Sequence, residues 1–250
     1  MIAEGVAHHS SFEQDPWHRL HGTIRTTMDL VFGDGPAANR AVKRLNSVHA
    51  KVRGDVFDDE ARRVAWAYRA LDPALLLWVQ ATLIVTSVAA YQRWVAPLNA
   101  DEREQFWQEA RAVGVRLGIP LSLSPQTWPA LEAYWATMLA ESGPVHVTPT
   151  ARRMARLIVR PPFPFVPGPL VDLAALPGLT LLPPRIRREF DIPWSAPKQI
   201  LAGALSTCVR AWTRVVPRTL RSMPQAVAAD RRVRRAAGAA PRVGTISGHP

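Results

Sequence analysis

Apolar side chains recur at spacings of three and four along most of the chain, and no convincing run alternates at a spacing of two. That pattern predicts an all-α protein, a single-domain helical bundle. Asp15-Pro16 reads as a helix start, with Asp as N-cap and Pro at the first helical position, for a helix reaching about Phe32. Gly33-Asp34-Gly35-Pro36 ends it and opens a second, expected to run to Arg53 and stop at Gly54. Another helix is expected from Asp58 to Leu71. Asp72-Pro73 then restarts the chain ahead of twenty uncharged residues, Pro73 to Gln92. Their length would cross a bilayer, but a fully buried core helix reads the same way.

Downstream, Asn99 to Gly118, Thr127 to Ser142, 149–159, Leu170 to Leu176, Pro184 to Phe190 and Ala196 to Val215 read as helices. The proline run Pro161 to Pro167 forces extended structure between them. Trp residues fall on the inward faces of several helices, where they suit packing and would equally suit the wall of a planar cofactor.

In the second helix Val42, Leu45, Val48, His49 and Val52 share one face, which aims the His49 imidazole at the core. Two readings stay open: a hydrogen-bonded core histidine, or a ligand to a metal or haem iron. The helix before it carries Arg19 and Thr23 one turn apart. A tight link joins the two helices, so an antiparallel pair could bring Arg19, Thr23 and His49 to one pocket.

The chain has 250 residues, long enough for one domain or at most two, and its 48% apolar and 20% charged content excludes a disordered chain. Basic residues outnumber acidic ones 31 to 20, but residues 210–250 hold nine Arg against one Asp, so the body is near neutral. Arg231-Arg232-Val233-Arg234-Arg235 could meet an anionic membrane surface. It lacks the interleaved aromatic residues of a nucleic-acid binder and reads mainly as a solvated tail.

The single cysteine, Cys208, excludes an intrachain disulfide. It lacks the glycine-bracketed loop of a thiolate haem ligand and reads as a small core residue. His8, His9, His18 and His21 have no carboxylate or thiol at ligand spacing. There is no nucleophile elbow, P-loop, dinucleotide turn or H-E-x-x-H, so hydrolase and nucleotide-dependent classes drop out. The first fifteen residues lack a signal-peptide pattern, which leads to the expectation of a cytoplasmic protein, with membrane contact through the tail.

Five segments, taken in order, resemble the oxygenase family that includes rubber oxygenase (latex clearing protein) and mpaB. They are Asp15 to Thr23 with Phe32-Gly33-Asp34; Val48 to Gly54; Tyr68 to Pro73 with Trp78-Val79-Gln80-Ala81-Thr82; Leu117 to Pro120; and Leu182 to Arg187. The resemblance covers about residues 1–215 and implies an oxygenase-like helical domain there, abbreviated at its N-terminus, with 216–250 as an Arg-rich disordered tail. It implies a buried pocket for haem b, with His49 as the iron ligand. Arg19 and Trp78 would also line that pocket, and Arg19, Thr23 and Gln80 would be the catalytic-side groups. It further implies O₂ as co-substrate and a hydrophobic alkene or isoprenoid-type substrate, oxidised or cleaved. The sequence departs from the family at Gly22, where rubber oxygenase has lysine, and at Gln80, where many relatives have histidine. Gln cannot shuttle a proton near neutral pH, so a non-catalytic helical protein binding haem or an apolar ligand is the alternative.

Overall fold

The structure is a computed structural model describing residues 2–9, 16–57, 64–160, 166–217, 220 and 222–239, with side chains undescribed at 8, 9, 16–19, 56, 57, 64–66 and 237–239. Among these residues the fold is essentially all-α, with eleven helices and one two-stranded hairpin. Helices α1 (Ile2–His9), α2 (Pro16–Phe32) and α3 (Gly35–His49) lead into β1 (Arg53–Phe57) and β2 (Val64–Arg69). Then come α4 (Pro73–Trp94), α5 (Ala100–Arg116), α6 (Trp128–Leu139), α7 (Pro149–Val159), α8 (Gly168–Leu179), α9 (Pro184–Glu189), α10 (Ala196–Val215) and α11 (Pro224–Ala239).

Local chemistry explains most boundaries. The Asp34 carboxylate accepts from the Ala37 backbone N–H at 2.8 Å, with Pro36 in the first turn of α3. Asp72 caps α4 the same way through Ala74 N–H, also at 2.8 Å. Asn99 and Glu102 form a reciprocal capping box at the start of α5, which closes at Gly118, whose φ of 103° suits a residue without Cβ. Asp15, the expected cap of α2, lies outside the described residues.

The sequence reading is corrected at four places, one of them Cys208, which was read as a small core residue and is exposed. Helix α3 stops at His49 and does not continue to Arg53; Val48, expected inward, is exposed. The helix expected over Asp58–Leu71 is replaced, in its described part, by an antiparallel hairpin pairing Arg53 with Arg69 and Gly54 with Tyr68. Val64-Ala65-Trp66-Ala67-Tyr68 alternates large and small residues, a period-two signal that a search for apolar and polar alternation passes over. Residues 224–239, expected in a solvated tail, form α11, which packs on α2 and donates a hydrogen bond from Arg232 to the Phe32 carbonyl.

Helix α4 is the centre of the main core. Ala81, Val88, Trp107, Trp128 and Leu131 cluster where α4, α5 and α6 meet, and Trp107 and Leu131 are fully buried. The Trp107 indole N–H donates to the Pro125 carbonyl at 3.1 Å, so its burial leaves no polar atom unmet. Helix α10 lies on α8 and α4, tied by Thr213 Oγ1 donating to the Trp94 carbonyl at 2.6 Å. Helices α2, α3 and α11 pack chiefly on one another, with Arg44 paired to Asp29 at 3.2 Å.

Candidate functional site

The end of α3, the hairpin and the start of α4 surround a cavity of about 490 Å³ that opens to solvent. It is lined by His49, Ala50, Val52, Arg53, Arg69, Leu71, Asp72 and Pro73. The volume lies in the range of small-molecule and cofactor sites, roughly 300–1,000 Å³. Its lining combines a few apolar walls with one imidazole, two guanidiniums and a carboxylate already engaged as the cap of α4.

His49 is half-buried at the last position of α3, and its Nδ1 is buried with no hydrogen-bond partner. Burial lowers its pKa from the ordinary 6.5, because removing the ring from water penalises the charged form. The imidazole is therefore held neutral, the form that donates a lone pair to a metal.

Arg53 and Arg69 are directly opposite each other across the hairpin. Both line the cavity. These two arginines were missed from the sequence. The signal lay in the strand pattern that pairs them, and reading residues 58–71 as helix hid it.

The other expected site residues are not gathered at this cavity. Gln80 and Trp78 lie further along α4; at 1.5 Å per residue Gln80 is roughly 10 Å beyond Pro73. Gln80 Nε2 donates to the Ala110 carbonyl at 2.6 Å, on the face where α4 meets α5. Trp78 is wedged against α6, stacked on Trp135 with ring centroids 5.2 Å apart and edge-on to Tyr134 at 6.4 Å. Thr23 is exposed on α2, one turn before Thr26, which Arg44 of α3 contacts. That places Thr23 level with the last turn of α3. Arg19 lies in the first turn of α2, and its side chain is outside the described positions. The enclosing chamber expected from the resemblance, with all five residues around one cofactor, is not assembled.

Arg185, in the family-like segment Leu182 to Arg187, has a structural part. It pairs with Glu189 at 2.6 Å and donates to the carbonyls of Leu139 at 3.0 Å, Val145 at 3.0 Å and Ala140, holding α9 against the end of α6.

The site so defined is a half-buried imidazole beside a solvent-open cavity in a mostly helical chain. Residues 1–218 match the family described as ER-bound oxygenase mpaB/B'/rubber oxygenase, catalytic domain, and the chain belongs to that family. It is similar to the uncharacterized protein Mb2261 of Mycobacterium bovis (strain ATCC BAA-935 / AF2122/97), 29% identical over 178 residues, 68% of this chain and 69% of the relative. The uncharacterized protein Rv2237 of Mycobacterium tuberculosis (strain ATCC 25618 / H37Rv) shows the same identity and coverage. No solved structure matches. Family membership places the chain among oxygenase-type proteins, an oxidoreductase class.

Proposed function

We propose that this chain holds haem b through His49 and uses O₂ to oxidise or cleave a hydrophobic alkene or isoprenoid-type substrate. The observation that carries the proposal is the half-buried His49 imidazole on the wall of a cavity of cofactor-scale volume, in a chain of the oxygenase family. Among the described residues no group of three or more His, Cys, Asp or Glu could hold a bare metal ion. A porphyrin supplies its own equatorial nitrogens and needs a single protein donor, so one histidine suffices. Arg69 would take a propionate carboxylate, and Val52, Leu71 and Pro73 would contact the ring face.

When bound, the haem supplies the iron chemistry that activates O₂. The chain's own part is to keep His49 neutral, to fix a carboxylate of the cofactor, and to present apolar walls to the substrate. In this reading Gln80 and Trp78 act through packing.

Haemin added to the purified protein should give a Soret band. His49→Ala should shift the band and weaken binding, because the iron would lose its protein donor. An identical spectrum in that variant would remove His49 from the role. The engagement of Gln80 with Ala110 favours a second reading, a haem-binding protein without turnover. Haem-loaded protein that consumes no O₂ with a polyisoprenoid substrate would support it.

A further inference from the structure

Helix α10 has two uncharged faces, and the fold uses one. Ala202 and Ser206 are buried, and Ser206 and Thr213 bond to the end of α4. On the far side Pro197, Ile200, Leu201, Ala204, Thr207, Cys208, Ala211, Trp212 and Val215 fall within a sector of roughly 140° at 100° per residue. All nine are exposed, including Ile200 at 74%, Trp212 at 55% and Val215 at 82%. No charge interrupts this strip over the length of the helix.

Its edges are cationic. Lys198 borders one side and Arg214 the other, and α10 contains no acidic residue. Residues 196–239 carry eight Arg and one Lys against a single Asp, Asp230, which is most of the chain's formal charge of +11. Arg231, Arg234 and Arg235 of α11 are exposed as well.

We infer that the outer face of α10 seats on an anionic bilayer surface, with Ile200, Leu201, Trp212 and Val215 entering the headgroup boundary and the flanking cations meeting acidic lipid. An apolar face carrying Trp and Leu, edged by Lys and Arg, is the composition of a helix lying in the membrane interface. A second copy of the chain is the poorer occupant, because it would bring two surfaces of the same strong positive sign together. The inference rests on α10 alone and is independent of haem.

Cys208, the chain's single cysteine, is exposed within the strip and provides a site-specific reporter. A polarity-sensitive fluorophore on Cys208 of the full chain should shift to the blue with vesicles containing phosphatidylglycerol. It should respond about tenfold less to phosphatidylcholine alone, and raised salt should reverse the shift. Unlabelled protein should float with the anionic vesicles, and Ile200→Asp with Trp212→Asp should abolish flotation while leaving the circular dichroism unchanged. No shift with anionic vesicles, an equal shift with neutral ones, or flotation that survives the double substitution would each overturn the inference. So would a lipid-free shift that rises with protein concentration alongside a dimer mass in light scattering, since the occupant would then be a second copy.

Discussion

At His49 the ring is neutral because burial makes protonation costly, and this has a signed consequence for the unliganded protein. The unfolded chain takes up the proton near pH 6.5 while the folded chain resists it to lower pH. Stability contributed by the neutral ring is thus fully present above about pH 6.5 and declines as pH falls through the depressed folded value. Urea titrations across this range should show wild-type stability dropping on acidification, with a shallower drop in His49→Phe. Equal pH slopes in the two proteins would mean that His49 titrates normally. The same residue shows what a sequence can and cannot disclose. Its place in the apolar pattern and its family-like surroundings were readable, whereas the end of α3 at that residue, and the two arginines facing each other beside it, depend on a hairpin that helical periodicity masks.

At the scale of elements, the crossing of α4 and α5 depends on a glycine. A Cβ on Gly114 would lie 2.6 Å from Gln80 Oε1 and 2.7 Å from Nε2, so Gln80 reaches the Ala110 carbonyl through the space that Gly114 leaves. Gly114→Ala should force Gln80 off that bond and cost about 1–3 kcal/mol, the usual penalty for stranding buried polar groups. In a Gln80→Ala background the obstruction is gone, and the same change should be neutral or stabilising by up to about 1 kcal/mol from helix propensity. Chemical denaturation of the four proteins closes the cycle, and additive effects would show that the two residues do not meet. Gln80 therefore has a packing explanation for differing from the histidine of many relatives. The capped helices were legible because Asp34, Asp72, Asn99 and Thr127 each satisfy an N–H within their own turn. The hairpin and the docking of α11 depend on partners distant in sequence, which local patterns do not encode.

For the whole molecule, the distribution of the core is the informative quantity. Among the described residues, fully buried side chains concentrate where α4, α5 and α6 meet, while α3 buries only Ala38 and Ala41. The His49 cavity lies where these two parts join, with walls from the end of α3, the hairpin and the first residues of α4. Hydrogen exchange should consequently find α4, α5 and α6 the most protected helices and α2 and α3 among the least, because local opening is easiest where few apolar contacts are lost. A ligand held between His49 and the start of α4 binds only when both parts are in place, so haemin should raise protection in α3 more than in α5. Protection that rises equally in all helices would indicate general stabilisation without a link at this junction, and protection unchanged in α3 would place the ligand elsewhere.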